Sequence, residues 1–127
     1  MSKSDYYTRK IDDKNRLSIP SDLAQELGSN VVITFGFGKY LHLYSQKVWD
    51  DQVEPALRGS IIDEDIANLN VKLRQGKINA ILDQKQNRLT LTNELLSYGS
   101  LGKDIVIVRA GEYWRIANNT NTITKVA

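Results

Sequence analysis

Five residues, Asn15-Arg16-Leu17-Ser18-Ile19, return 72 positions later as Asn87-Arg88-Leu89-Thr90-Leu91, and the match continues downstream. Val31-Val32-Ile33-Thr34-Phe35, a glycine-containing turn and Tyr40-Leu41-His42-Leu43-Tyr44 correspond in order to Ile105-Val106-Ile107-Val108-Arg109, Ala110-Gly111-Glu112 and Tyr113-Trp114-Arg115-Ile116. A chain that repeats itself in this way is a tandem of one small β-rich unit. Units of roughly 50 residues are marginal alone, so the two are expected to share a core.

In the first copy, Tyr6 to Ile11 is rich in aromatic and β-branched residues and reads as a strand entering an arm. The turn is Asp12-Asp13-Lys14-Asn15, and Leu17-Ser18-Ile19 alternates as a half-buried strand does. Asn15 can take the left-handed backbone where glycine is usual, and the Asp12 side chain can bond the local backbone. Pro20 ends the strand and suits the start of a helix over Ser21–Leu27, with Ser21 or Asp22 as a cap and Gly28 as its stop. Residues 31–35 and 40–44 form a hairpin turning at Gly36 and Gly38.

Residues 46–73 change character. Val48, Trp49, Val53 and Leu57 fit one helix face, with Pro55 kinking or restarting the helix, and Ile66, Leu69, Val71 and Leu73 suggest a second helix. Residues 77–82 and 88–91 are the second arm, Thr92 or Asn93 starts its helix, and residues 99–103 break the chain before the last hairpin. The expected fold class is α+β, mostly β, in a single domain of two repeats. The first unit spans residues 5–49, a helical connector 50–74, the second unit 77–118, and a polar tail, 119–127, is expected to be mobile, as are the first four residues.

Composition narrows the class. With 41% hydrophobic and 25% charged residues the chain is neither disordered nor membrane-spanning by type, and no apolar run approaches the ~20 residues that cross a bilayer. The start lacks the apolar core of a signal peptide, and there is no cysteine, so a cytoplasmic protein without disulfides or thiolate metal sites is expected. A net charge of +2 says little, but residues 1–16 hold five basic against three acidic side chains, residues 50–65 one against six, and residues 72–88 five against one. Both basic segments include an arm, so a basic face and an acidic face are expected.

No catalytic constellation is visible, and the chain is not expected to be an enzyme or to need a cofactor, metal or small-molecule substrate. His42, the single histidine, has no second ligand nearby and reads as a surface-facing strand residue. Asp63-Glu64-Asp65 reads as a solvated helix start rather than a carboxylate site. Gly36-Phe37-Gly38 is a hairpin turn, since it lacks the rest of a dinucleotide loop. Tyr40, Tyr44, Tyr113 and Trp114 are expected in the core rather than stacked on bases.

The arm Asp12-Asp13-Lys14-Asn15-Arg16-Leu17-Ser18-Ile19-Pro20 resembles the Asp-x-Lys-Gly-Arg-Leu-x-x-Pro signature of the MraZ family of bacterial DNA-binding proteins, related to the AbrB-like swapped-hairpin regulators. Leu41-His42-Leu43-Tyr44 followed by Trp49 is similar to the family's Leu-Leu-Leu-Tyr-x-x-x-x-Trp segment. The resemblance implies tandem AbrB-like units, assembly into a homo-oligomeric ring, and transcriptional control at the promoter of the division and cell-wall gene cluster. The departures are Asn15 and Asn87 in place of glycine, Thr92 in place of the second proline, and Gln84 four before Arg88, with Asp83 one residue earlier. Either the second turn is one residue longer or its acid is lost.

On this reading the partner is double-stranded DNA with repeated sites, and the protein is nucleoid-associated. Arg16 and Arg88 are the natural bidentate readers of guanine, while Lys10, Lys14 and Lys85 supply phosphate charge. Asp12 orients Arg16, and Asn15 and Asn87 shape the turns. The first arm is expected to carry most of the sequence reading, with Arg88 more mobile. The bland alternative is that Asp12 and Arg16 merely clip their own turn. A reading of another class is an antitoxin-type protein-interaction module whose partner segment is residues 120–127. Because each unit is small, neighbouring units from other chains are expected to complete the fold.

Overall fold

The computed structural model describes residues 4–59, 62–83 and 85–119, so the first three residues, residues 60–61, Gln84 and the tail from residue 120 lie outside the described residues. The first repeat contains β1 (Tyr6–Lys10), β2 (Arg16–Ser18), α1 (Ser21–Leu27), β3 (Asn30–Phe35) and β4 (Leu41–Ser45). The connector holds α2 (Gln46–Val48), a π-helical turn (Trp49–Val53), α3 (Glu54–Ala56) and α4 (Glu64–Gln75). The second repeat contains β5 (Ile78–Ile81), β6 (Arg88–Thr90), α5 (Asn93–Gly99), β7 (Asp104–Ala110) and β8 (Tyr113–Asn118). The class is α+β with tandem units, and the connector's helices bring helix and strand to about equal shares.

Strand pairing crosses between the repeats. β1 of the first runs antiparallel to β7 of the second, and β5 of the second runs antiparallel to β3 of the first. The large sheet has the order β1-β7-β8-β4-β3-β5, while β2 and β6 form a separate two-stranded ribbon. Leu17 faces Leu89 and His42 faces Arg115, and each pair is the same position in the two repeats. A pseudo-twofold axis therefore runs through both pairs. Each repeat supplies the strand that the other lacks, so core closure needs no second chain, contrary to the sequence expectation.

Alternation along the strands builds the core. Leu17 and Leu89 from the ribbon, Ile33, Leu43, Ile107 and Ile116 from the sheet, and Leu23 and Leu95 from the short helices belong to one buried cluster. The opposite face of β3 and β4 is covered as well, because Val32 and Tyr44 pack with Trp49, Leu57 and Leu73 of the connector. The connector and the ribbon thus lie on opposite sides of these two strands. Burying one such large side chain contributes about 1.5–3 kcal/mol. The strand aromatics divide: Tyr44 and Trp114 are buried, whereas Tyr40 and Tyr113 are half-buried.

Pro55 is accommodated rather than excluded. It has no N–H for an intrahelical bond and its ring crowds the carbonyl four residues back, and the helix widens just before it, with Glu54 N–H bonding the Trp49 carbonyl. In α4 the Asp63 side chain caps the N–H groups of Asp65 and Ile66, as expected for its acidic start. Leu73 is its buried residue, but Val71, expected on the same face, is 62% exposed. At α1, Pro20 occupies the cap without a side-chain bond, and Asp22 instead accepts from Tyr7 Oη at 2.8 Å.

His42 corrects the sequence reading. It is fully buried, because the outward side of β4 is roofed by Phe37, Tyr40, Tyr44 and Tyr113, whose ring centroids lie 4.5–5.8 Å from the imidazole. Its Nδ1 lies 2.9 Å from Tyr44 Oη, and its Nε2 has no partner among the described residues. Burial, aided by the nearby Arg115 charge, pulls its pKa down to about 4.

Candidate nucleic-acid interface

Three rungs join the arms: Arg16 opposite Thr90, Leu17 opposite Leu89, and Ser18 opposite Arg88. The two leucines point into the core, so Arg16, Ser18, Arg88 and Thr90 share the outward side. The ladder continues beyond the strands, since Ile19 N–H donates to the Asn87 carbonyl and Leu91 N–H to the Asn15 carbonyl, each at 2.8 Å. Each turn is thereby fastened to the other repeat's arm. The two arginine backbones lie two residues apart along the ribbon, roughly 7 Å.

Both turns use asparagine in the left-handed region, with φ of 61° at Asn15 and 53° at Asn87. Asn tolerates this because its short amide bonds locally. In the first turn, Asp12 Oδ1 accepts from the N–H groups of Lys14 and Arg16, both at 2.9 Å, and Oδ2 accepts from Arg16 Nε at 2.9 Å. The backbone bond from Arg16 leads the causes that hold the Asp12 carboxyl below its ordinary pKa.

The second turn is one residue longer and keeps its acid. Asp83 Oδ1 accepts from Lys85 N–H at 2.9 Å, and Arg88 Nη2 reaches Oδ2 at 3.5 Å. The bond from Lys85 N–H is the chief reason that the Asp83 carboxyl is also lowered. Arg88 is as covered as Arg16, with side chains 28% and 31% exposed, and it has an acid partner in Asp83, so the expectation that Arg88 lacks one is corrected. The difference is which nitrogen is engaged. Arg16 is held through Nε and keeps both terminal nitrogens for a bidentate contact, whereas Arg88 commits Nη2 and buries an Nε that has no partner among the described residues.

Lys14 and Lys85 are exposed on the turns. Lys10 lies at the end of β1, 79% exposed, and pairs with Asp104 at 2.5 Å. Three residues of this surface were not singled out from sequence. Ser18 and Thr90 were legible in principle, since they alternate with the buried leucines. Lys103, which pairs with Asp13 at 3.2 Å and whose carbonyl accepts Ile11 N–H, comes from 90 residues away and carries no local signal. Among the described residues no group of three His, Asp or Glu side chains gathers as a metal site requires, and no helix is long and apolar enough to cross a membrane.

Exchanged first strands, a ribbon made of one arm from each repeat and acid-held arginines define a tandem swapped-hairpin protein. The family described as "MraZ protein, putative antitoxin-like" matches residues 4–70. The chain is 31% identical to the transcriptional regulator MraZ of Roseiflexus sp. (strain RS-1) over 110 residues, 87% of this chain and 76% of the relative. It is 32% identical to that of Mycoplasma mobile over 111 residues, covering 85% and 75%. It is 28% identical to that of Clostridium tetani over 123 residues, covering 91% and 86%. The chain belongs to the MraZ family.

Proposed function

We propose that this chain is a sequence-specific DNA-binding transcriptional regulator whose ribbon face enters the major groove. The observation that carries the reading is that β2 and β6 bring Arg16 and Arg88 onto one outward surface, each beside an acid that fixes it. A two-stranded ribbon fits a groove about 12 Å wide, and arginine reads guanine there through paired hydrogen bonds. Lys10, Lys14, Lys85 and Lys103 flank the ribbon as phosphate contacts. The relatives are named as transcriptional regulators, not as enzymes.

The finer assignments belong to the same proposal. The target is the promoter of the division and cell-wall gene cluster, the sites are repeated, the protein works as a homo-oligomer, and it is cytoplasmic and nucleoid-associated. The two repeats act as one DNA-binding domain. Sequencing the genomic fragments retained by the purified protein tests this. Enrichment of repeated boxes upstream of division genes supports it, and an unselective fragment pool contradicts it.

The family description favours one competing reading, an antitoxin-like module that binds a partner protein. Its candidate segment, residues 120–127, lies outside the described residues. Salt separates the two, since DNA binding weakens steeply with ionic strength through counterion release and a tail-mediated protein contact does not.

A further inference from the structure

We propose that the cleft between α1 and the second arm seats the DNA sugar-phosphate backbone through neutral hydrogen-bond donors, an inference that rests on the DNA-binding reading and extends it beyond the ribbon. The cleft measures about 460 Å³ and is lined by Ser21, Ala24, Gln25, Ser29 and Asn87 over a floor of Leu82. It opens directly beside the ribbon. The Asn87 carbonyl is bonded to Ile19, two residues before α1 begins, so helix and turn are held at a fixed spacing.

Ser21 and Gln25 are exposed and lie one helical turn apart on the same side of α1. Neither they nor Asn87 uses its side chain in a hydrogen bond among the described residues. A hydroxyl and two carboxamides are suitable donors to phosphate oxygens. Among the described residues no carboxylate lines the cleft. The two acids of α1 are engaged away from it, Asp22 by Tyr7 and Glu26 by Arg109, so neither stands among the residues that line the cleft.

The pseudo-twofold axis pairs this cleft with one of about 470 Å³ on the other flank, but that one is lined by Glu94 and by the rings of Phe35 and Tyr98 as well as by Asn93 and Ser97. Leu96 and Leu101 stand at the positions of Ala24 and Ser29, and both pack against the core. A duplex whose major groove takes the ribbon presents a backbone on each side. Both flanks offer neutral donors, Ser21 and Gln25 on one and Asn93 and Ser97 on the other, but among the described residues only the α1 side has no carboxylate in its lining.

The test is duplex binding by the full chain across a salt series, with a specific and a scrambled sequence. Neutral donors displace no counterions, so their loss lowers affinity without changing the salt slope. The S21A/Q25A double variant is expected to bind both duplexes about five- to tenfold more weakly at every salt concentration, with the wild-type slope. Ala24→Leu, which narrows the cleft with the larger side chain that Leu96 carries at the equivalent position, should give the same loss. N93A/S97A, on the opposite flank, should bind as wild type does. Wild-type affinity in both cleft variants overturns the proposal, as does a loss confined to the specific duplex. If the wild-type chain retains no duplex at any salt concentration, the DNA-binding reading itself fails, whatever the variants do.

Discussion

At the scale of single residues, the inequality of the arms comes down to one nitrogen. Arg16 is braced by Asp12 at Nε, so on the proposed reading its terminal fork is oriented before it meets a base and would lose little freedom there. Arg88 is braced at Nη2 through a longer bond and cannot present the full fork without giving that bond up. Arg16→Ala is expected to cost on the order of 1–3 kcal/mol and to blur preference at particular base pairs, whereas Arg88→Ala weakens all sequences alike and lowers the salt slope by about one. Affinities for specific and scrambled duplexes across salt decide this; loss of specificity in Arg88→Ala with retention in Arg16→Ala is the contrary outcome. The roles of Asn15 and Asn87 are legible in the sequence because left-handed turns demand such residues. That of His42 is not. Alternation in a strand tells which residues share a face but not what roofs that face, and the roof here comes from a hairpin tip and from β8. Since the folded pKa of His42 lies near 4, below its ordinary 6.5, the folded state binds fewer protons than the unfolded one between those values. Its stabilising contribution is complete above pH 6.5 and is lost as pH falls toward 4. His42→Phe should flatten that part of the stability profile, measured by urea unfolding at each pH; an unchanged profile would place the dependence elsewhere.

At the scale of elements, the sequence pattern located nearly every strand and helix, yet it could not say which strands pair. β1, Tyr6–Lys10, shows almost no hydrophobic alternation, and the alternation in β5 does not say which repeat it packs on. The exchange is fixed by contacts distant in sequence, such as Ile11 N–H to Lys103 and Leu82 N–H to Ser29. The twin contacts have also diverged chemically. Arg109 of β7 holds Glu26 of α1 through two hydrogen bonds, and at the same two positions of the other half Phe35 stacks on Tyr98 at 4.1 Å. The connector is secured by Glu54, which accepts from Arg74 at 2.7 and 3.1 Å and from Trp49 Nε1 at 3.2 Å. These bonds, Arg74's first, hold the Glu54 carboxyl down at about 2. A depressed acid contributes stability above its ordinary 4.5 and loses it as pH falls toward 2. Glu54→Gln is expected to cost on the order of 1 kcal/mol at neutral pH, discounted for solvent screening, and only a small part of that at pH 2. Thermal melts at the two pH values check it, and an equal cost at both removes the ion pair from the explanation.

At the scale of the whole molecule, the pseudo-twofold axis organises both faces. It passes through Leu17 and Leu89 beneath the ribbon and through His42 and Arg115 across the sheet, while the acidic connector lies on the other side of β3 and β4 from the ribbon. Charge segregation that is visible as runs in the sequence thus becomes a layered arrangement, with the basic arms on one side. Because one chain closes its own core, the proposed oligomer depends on outer surfaces only. Sedimentation at micromolar concentration is expected to give a mass well above the 14.4 kDa of one chain, and dilution is expected to release a folded monomer. A mass of one chain at micromolar concentration contradicts the oligomer, and unfolding on dissociation contradicts intrachain closure. The central claim is that both arms form a single DNA-reading face, and the most direct measurement is a map of backbone amide chemical shifts as a retained duplex is added. Concerted shifts are predicted in residues 12–18 and 85–90 at the same DNA concentration, with residues 46–56 unmoved; shifts centred on the connector, or on one arm alone, would contradict the claim.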